Sequence, residues 1–296
     1  MPDFHHDLRR SARFMPPDLG LPTTLRLQRG LDALARSRRT PGVSVIPLAS
    51  GASIRVHRPA AAAPNPAPAL LWIHGGGYVI GTAHQDDKLC RDFSAELGIT
   101  VASVDYRLAP EHPYPAAVDD CCAAFEWLAA QPAVDPASIA VGGASAGGGL
   151  AAALAFRARD RGEIRPVLQL LSYPMLDDRT GTGATPAVPG HRWWGPRSNR
   201  FAWAAYLGTT DPHAAVPARQ QELSGLPAAW IGVGSLDLFR DEDVRHAERL
   251  NAAGVPCELE VIQGAYHGFD AIAPRAAVSR LFFQRRCDVL TSAFSG

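Results

Sequence analysis

Residues 138–150, Ser-Ile-Ala-Val-Gly-Gly-Ala-Ser-Ala-Gly-Gly-Gly-Leu, constrain the chain more than any other stretch. Ile139, Ala140 and Val141 are apolar and partly β-branched, as a short buried strand requires, and Gly142 and Gly143 interrupt them. From Ala146 an Ala/Leu-rich run to about Arg161 predicts a helix. Between strand and helix, Gly143-Ala144-Ser145-Ala146-Gly147 matches G-x-S-x-G in the strand–turn–helix context that gives this motif its mechanics. Such a turn holds Ser145 strained at the helix entrance, and glycines two positions away on either side leave room for neighbouring backbone. The hydroxyl then stands clear of the sheet at a helix N-terminus, where developing negative charge is favoured.

Two other glycine motifs fit less well. No Lys follows the glycines, which excludes a P-loop. Gly147 to Ala152 also matches G-x-G-x-x-A, but the acidic residue that dinucleotide binding needs about twenty positions on is missing. A structural turn with an incidental serine is the bland alternative, and residues elsewhere in the chain weigh against it.

A second glycine run, His74-Gly75-Gly76-Gly77, directly follows the apolar stretch 69–73. Successive glycines after a buried strand let backbone N–H groups turn toward a ligand, and with the N–H after the nucleophile they can form an oxyanion hole. The expected donors are Gly76, Gly77 and Ala146, with His74 and Gly75 fixing the loop. A serine hydroxyl needs a base, and the base needs an acid to hold its tautomer. On this topology the acid and then the histidine follow late strands. Asp237 follows strand candidate 229–233 and His267 follows 258–262, in the required order. Asp241 is the rival acid, with a helix-capping role as its alternative.

With 29 basic and 29 acidic residues among 296, no net field draws the chain to nucleic acid or to an anionic membrane. Five cysteines (90, 121, 122, 257 and 287) without C-x-x-C spacing point to free thiols in a reducing, cytoplasmic setting. The other histidines lack H-E-x-x-H or comparable spacing, so no catalytic metal is expected. No leader peptide and no membrane span are expected; the uncharged run 136–156 is only weakly apolar.

Along the chain, residues 1–42 are expected to form an N-terminal helical arm that covers the main domain. Its helix runs from Thr23 to Ser37, with Leu27, Leu31 and Leu34 on one face and Arg29, Arg36 and Arg38 mostly on the other. The basic cluster Arg36, Arg38 and Arg39 reads most simply as a solvated helix end. Residues 43–296 alternate strands (43–48, 53–58, 69–73, 100–105, 139–141, 167–172, 229–233, 258–262) with helices (84–97, 116–130, 146–161, 241–253, 274–292). That pattern implies an α/β domain with a mostly parallel sheet covered on both faces. Residues 180–220, rich in proline and holding Trp193, Trp194, Phe201, Trp203 and Tyr206, break the rhythm. They read as an insertion with its own aromatic core, as a lid over an apolar pocket, or as both.

Together, His74 to Tyr78, Asp105-Tyr106-Arg107-Leu108-Ala109-Pro110-Glu111-His112-Pro113, Gly143 to Gly148, the Asp237 loop and His267-Gly268-Phe269 resemble the bacterial hormone-sensitive-lipase-like esterases of the α/β-hydrolase superfamily. The resemblance runs from about residue 43 to the end. It implies an α/β-hydrolase fold and a cofactor-free carboxylic-ester hydrolase for short to medium acyl chains. It also implies a small-molecule ester as partner, with a homodimer left open, and a cap assembled from the N-terminal arm, completed less surely by the insertion. Amide, lactone or formamide hydrolysis by the same triad, a non-catalytic receptor on the same fold, and a cap devoted to self-association are the alternatives. Two departures stand out: Ala144 where the family usually has an acidic residue, and Leu238-Phe239 after Asp237 in place of Pro-Leu. Segment 105–113 is expected to be architectural.

Overall fold

The computed structural model describes residues 3–36, 40–60, 65–162, 165–182 and 189–295. Eight strands form one sheet in the order β1-β2-β4-β3-β5-β6-β7-β8: β1 Ser44–Pro47, β2 Ser53–His57, β3 Ala67–Ile73, β4 Thr100–Asp105, β5 Val134–Ala144, β6 Leu168–Ser172, β7 Ala228–Gly234 and β8 Cys257–Ile262. β1 and β2 pair antiparallel at one edge and β2 joins β4 antiparallel; every other pairing is parallel.

The central strands are buried on both faces, and β3 shows how the sequence achieves this. Ala69, Leu71 and Ile73 enter one core, and Leu70 and Trp72 enter the other. Period-two alternation in an all-apolar strand supplies both layers at once. The Leu71 side is covered by α4 (Ala116–Ala129) and α5 (Ala146–Arg161), the Trp72 side by α3 (Asp87–Leu97) and α10 (Ala277–Phe294). Helix α8 (Arg240–Ala252) packs on β7 and β8.

Several boundaries differ from the sequence reading. β3 begins at Ala67, two residues before the expected 69–73 strand; residues 61–64 lie outside the described residues. α10 starts at Ala277 rather than at 274, and a separate turn of helix, α9 (Phe269–Ile272), follows His267. A short helix α1 (Arg9–Phe14) precedes α2 (Leu21–Arg36), and α6 (Pro196–Leu207) and α7 (Pro212–Ala215) occupy the insertion.

Helix α2 packs through Leu21, Leu25 and Arg29, and its expected apolar face points outward. Leu27, Leu31 and Leu34 are 67, 56 and 57% exposed. Arg29 donates to the Val79 carbonyl at 2.9 Å, to the Ala109 carbonyl and to the Glu111 carboxylate. Arg36, at the exposed helix end expected of it, is in addition ion-paired with Asp105 at 2.9 Å; Arg38 and Arg39 lie outside the described residues. An apolar stripe normally turns to the core. Here the surface under α2 offers carbonyls and carboxylates, and guanidinium groups match it better than leucines do.

The insertion and the arm pack on one another. Asp18 accepts the Arg197 and Ser198 N–H groups at 3.0 and 3.1 Å, and Trp193 N–H donates to the Pro16 carbonyl at 2.7 Å. Trp203 and Tyr206 join the main core through Tyr78, whose ring stacks 4.0 Å from that of Tyr206. The insertion therefore has no separate aromatic core among the described residues; positions 183–188, Pro186 included, lie outside them.

Candidate active site

β5 ends at Ala144 and α5 begins at Ala146, leaving Ser145 at φ 58° and ψ −122°. This left-handed conformation costs a non-glycine residue of order 1–3 kcal/mol and persists only where neighbours over-determine it. They do: Ser145 N–H donates to the Ser172 carbonyl at 2.9 Å, and its own carbonyl accepts from Gly149 at 3.0 Å and Met175 at 2.9 Å. Gly147 is required for packing, since a Cβ there would be driven into the Ile73 carbonyl oxygen.

The loops after β7 and β8 are tied together before either reaches the serine. Ser235 N–H donates to the Ile262 carbonyl, Leu236 N–H to that of Ala265, and Gly264 N–H to Ser235 Oγ, at 2.9, 2.9 and 2.8 Å. That lacing brings His267 Nδ1 to 2.9 and 3.1 Å from the two Asp237 oxygens, and His267 Nε2 to 2.9 Å from Ser145 Oγ. With Nδ1–H donating to the carboxylate, Nε2 is left as the acceptor for the serine hydroxyl. Asp237 is fully buried, and its Oδ1 also accepts the Phe239 N–H at 2.9 Å. The imidazole meets Tyr173 and Phe239 edge-on, with ring centres 5.0 and 5.1 Å away. Asp241 is instead paired with Arg240, both half-buried, at the start of α8.

The glycine run lies against the nucleophile: a Cβ on Gly75 would come 3.3 Å from Ser145 Cβ. Gly76 adopts φ +127° and Gly77 φ +57°, and a side chain on either would collide, with the Ile80 carbonyl or with the Trp194 ring. Among the described residues the N–H groups of Gly76 and Gly77 have no acceptor, and Ala146, at the first position of α5, has no intrahelical one. Gly143 is closely packed, its hypothetical Cβ 2.6 Å from the Ile73 carbonyl oxygen. His74 is fully buried, bonded through Nδ1 to the Gly75 carbonyl oxygen at 2.7 Å and stacked on Tyr106 at 4.2 Å. Burial lowers the pKa of its imidazole, as suits a neutral loop brace.

Segment 105–113 holds other elements in place. Arg107 pairs with buried Asp120 of α4 at 2.9 Å, while Asp105 and Glu111 receive the arginines of α2. Neither Glu111 nor His112 lines the cavity that contains Ser145. Among the described residues one group of metal-type donors converges, His5, His6 and Asp7, also apart from that cavity.

The cavity encloses about 860 Å³ and is lined by Ser145, His267, Gly75 and Gly76, by Trp193 and Trp194 of the insertion, and by Leu19, Gln28 and Asp32 of the arm. Residues of the arm and of the insertion thus line the same cavity as Ser145. The sequence reading missed the polar residues on the opposite side, Asp86, Tyr173, Asp270 and Arg286. One signal was present: Val278, Phe282, Arg286 and Leu290 recur every fourth residue on α10, all buried, so a lone arginine interrupts an apolar stripe.

A family model described as alpha/beta hydrolase fold matches residues 70–271. Esterase LipI of Mycobacterium tuberculosis is 42% identical over 216 residues, 69% of this chain and 66% of LipI, so the chain spans just under two thirds of that relative's length. Carboxylesterase NlhH of the same species is 38% identical over 242 residues, covering 76% of this chain and 74% of NlhH. Among solved structures, a bacterial heroin esterase superposes with a TM-score of 0.86 at 36% identity, over 98% of each chain. A doubly covered parallel sheet, a strained serine between its central strand and helix, and this likeness in sequence and shape have one common explanation: the chain belongs to the α/β-hydrolase fold family, among the hormone-sensitive-lipase-like esterases.

Proposed function

We propose that the protein hydrolyses carboxylic esters of short to medium acyl chains through a Ser-His-Asp triad and a covalent acyl-enzyme. Ser145 Oγ attacks the ester carbonyl carbon as His267 Nε2 takes its proton, and Asp237 steadies the imidazolium through Nδ1–H. The N–H groups of Gly76, Gly77 and Ala146 receive the oxyanion, each such donor being worth about 2.7–4 kcal/mol in a transition state. His267 then protonates the leaving alcohol as the carbon–oxygen bond breaks. Water, deprotonated by the same imidazole, attacks the acyl-enzyme and releases the acid and free Ser145.

The observation that carries this reading is the unbroken hydrogen-bonded line from Ser145 Oγ through His267 to Asp237. A receptor on this fold has no use for a base held on the serine hydroxyl, so the line favours turnover over binding alone. Ser145→Ala is expected to lower kcat for p-nitrophenyl esters by about 10⁶ with the circular dichroism spectrum unchanged. A fluorophosphonate is expected to label Ser145 and no other serine. A fully active Ser145→Ala protein ends the proposal, and a panel of matched amides and lactones sets ester against amide or lactone specificity.

The five free cysteines support placement in a reducing compartment such as the cytoplasm. No described helix is long and apolar enough to cross a membrane. A homodimer, if formed, would use the exposed leucine face of α2, a question that static light scattering decides.

A further inference from the structure

The cavity around Ser145 has a polar end on the side where α3 meets α10. Trp72, Asp86, Asp270, Ser279 and Arg286 line it. Tyr173 links this end to the triad: its ring lies 5.0 Å from the His267 ring, and its O–H donates to Asp270 at 2.6 Å. Asp270 is also paired with Arg286 at 3.0 Å, and the Arg286 guanidinium rests 4.6 Å from the centre of the Phe282 ring. These two opposite charges satisfy one another. Asp86 has no such partner. Its Oδ2 accepts the Trp72 indole N–H at 2.9 Å, and Oδ1 has no hydrogen-bond partner among the described residues. The side chain keeps part of its surface on the cavity. Two further polar atoms on the same walls, Ser279 Oγ and Arg286 Nε, are buried without a hydrogen-bond partner among the described residues.

A carboxylate in this setting is under-compensated. Burial pushes the Asp86 carboxyl up to about 6, against the Trp72 hydrogen bond, which acts the other way. The charged groups facing it are Asp270 and Arg286, already paired, and Asp87, paired with Arg55 at 2.6 Å. Lys88 and Arg280 also line the cavity, but both are exposed: Lys88 is held by Asp92, and Arg280 donates to the Arg275 carbonyl. Above that pH the ionised oxygen faces a space large enough for a substrate group, and the group that relieves it best is a cation.

We propose that Asp86 is a substrate-recognition residue: it forms an ion pair with the protonated amine of an ester substrate, seating that amine between α3 and α10 while the ester carbonyl lies at Ser145. This rests on the reading of Ser145 as the nucleophile. An amine on either the alcohol or the acyl part has the required chemistry, and Ser279 Oγ offers its N–H a second acceptor. A neutral isostere would leave the carboxylate partly desolvated and unpaired.

The test uses two isosteric pairs at about pH 7.5, above the Asp86 value: 2-(dimethylamino)ethyl butyrate against 3-methylbutyl butyrate, and ethyl 4-(dimethylamino)butanoate against ethyl 5-methylhexanoate. In at least one pair the wild-type protein is expected to favour the amine by about tenfold or more in kcat/KM, and Asp86→Asn, which keeps the acceptor for Trp72, is expected to bring the ratio near one. The preference is also expected to fade as pH drops below the Asp86 value; using the ratio cancels the titration of the shared triad. No preference in either pair, a preference that survives Asp86→Asn, or a loss shared equally by amine and neutral esters overturns the proposal. Calorimetric titration of Ser145→Ala with the same esters reads binding without turnover. It is expected to show the same preference, lost on adding Asp86→Asn, so failure here is distinguishable from failure of the hydrolytic mechanism.

Discussion

Asp237 shows how little a single side chain does alone at this site. It lies fully buried, accepts a backbone N–H from Phe239, and directs its second oxygen to His267. Asp237→Asn keeps the shape but can present an N–H to Nδ1, which favours the tautomer that places a proton on Nε2, where the serine needs an acceptor. The expected loss is about 10⁴ in kcat with little change in thermal stability, measured on a p-nitrophenyl ester and by calorimetry. A loss under tenfold would mean that another group orients the imidazole. The convergence of Ser145, Asp237 and His267 was legible in the sequence because each follows a strand, in the order that the proposed nucleophile, acid and base require. Asp86 was not legible. It stands beside Asp87 in an ordinary helix start, and only the tertiary fold turns Asp87 to Arg55 and Asp86 to the cavity.

At the scale of elements, helix α2 is the instructive case. Its apolar stripe was plain in the sequence, but the stripe does not say what the facing surface offers. That surface is the Val79 and Ala109 carbonyls with Glu111 and Asp105, so Arg29 turns inward and Arg36, still exposed, reaches Asp105. The ties differ in strength. Glu111 is 58% exposed, and a solvated ion pair is worth at most about 1 kcal/mol. The carbonyl bonds from Arg29 are less exposed and charge-assisted, each worth about 1.5–3 kcal/mol. Arg29→Ala is therefore expected to loosen the arm clearly more than Glu111→Gln does. Limited proteolysis within residues 3–36 checks this, together with a rise in KM, because Leu19, Gln28 and Asp32 line the cavity. Equal protease sensitivity in the two variants would place the anchor in the ion pair. The strand and helix pattern of the main domain was readable for the opposite reason: β3, β4 and β5 face apolar helices on both sides, so local hydrophobicity and tertiary partner agree.

The whole molecule carries buried titratable groups that pull its stability in opposite directions with pH. His246 on α8 is 1% exposed with neither ring nitrogen hydrogen-bonded among the described residues, and burial lowers its pKa from the ordinary 6.5 to about 4. His57 is lowered to about 4 as well, again chiefly by burial. For both, the unfolded chain binds the proton first, so their contribution is present above about pH 6.5 and is lost as pH falls toward 4. Asp86, raised to about 6 by burial, has the opposite sign: its contribution is present at low pH and lost as pH rises through 6. The windows overlap, so the wild-type curve is flatter than either set alone would give. His246→Leu removes one acid-labile group and leaves the others. Whatever its constant offset, its stability relative to wild type is expected to be level above pH 7 and to climb as pH drops. The climb should reach about 2–3 kcal/mol by pH 4.5, read from urea unfolding midpoints at each pH. A difference that stays constant down to pH 4.5 would mean that the folded protein accepts a proton at His246 as readily as the unfolded chain does, through water or through Asp243 one turn earlier on α8, whose carboxylate oxygens are likewise buried without a partner among the described residues.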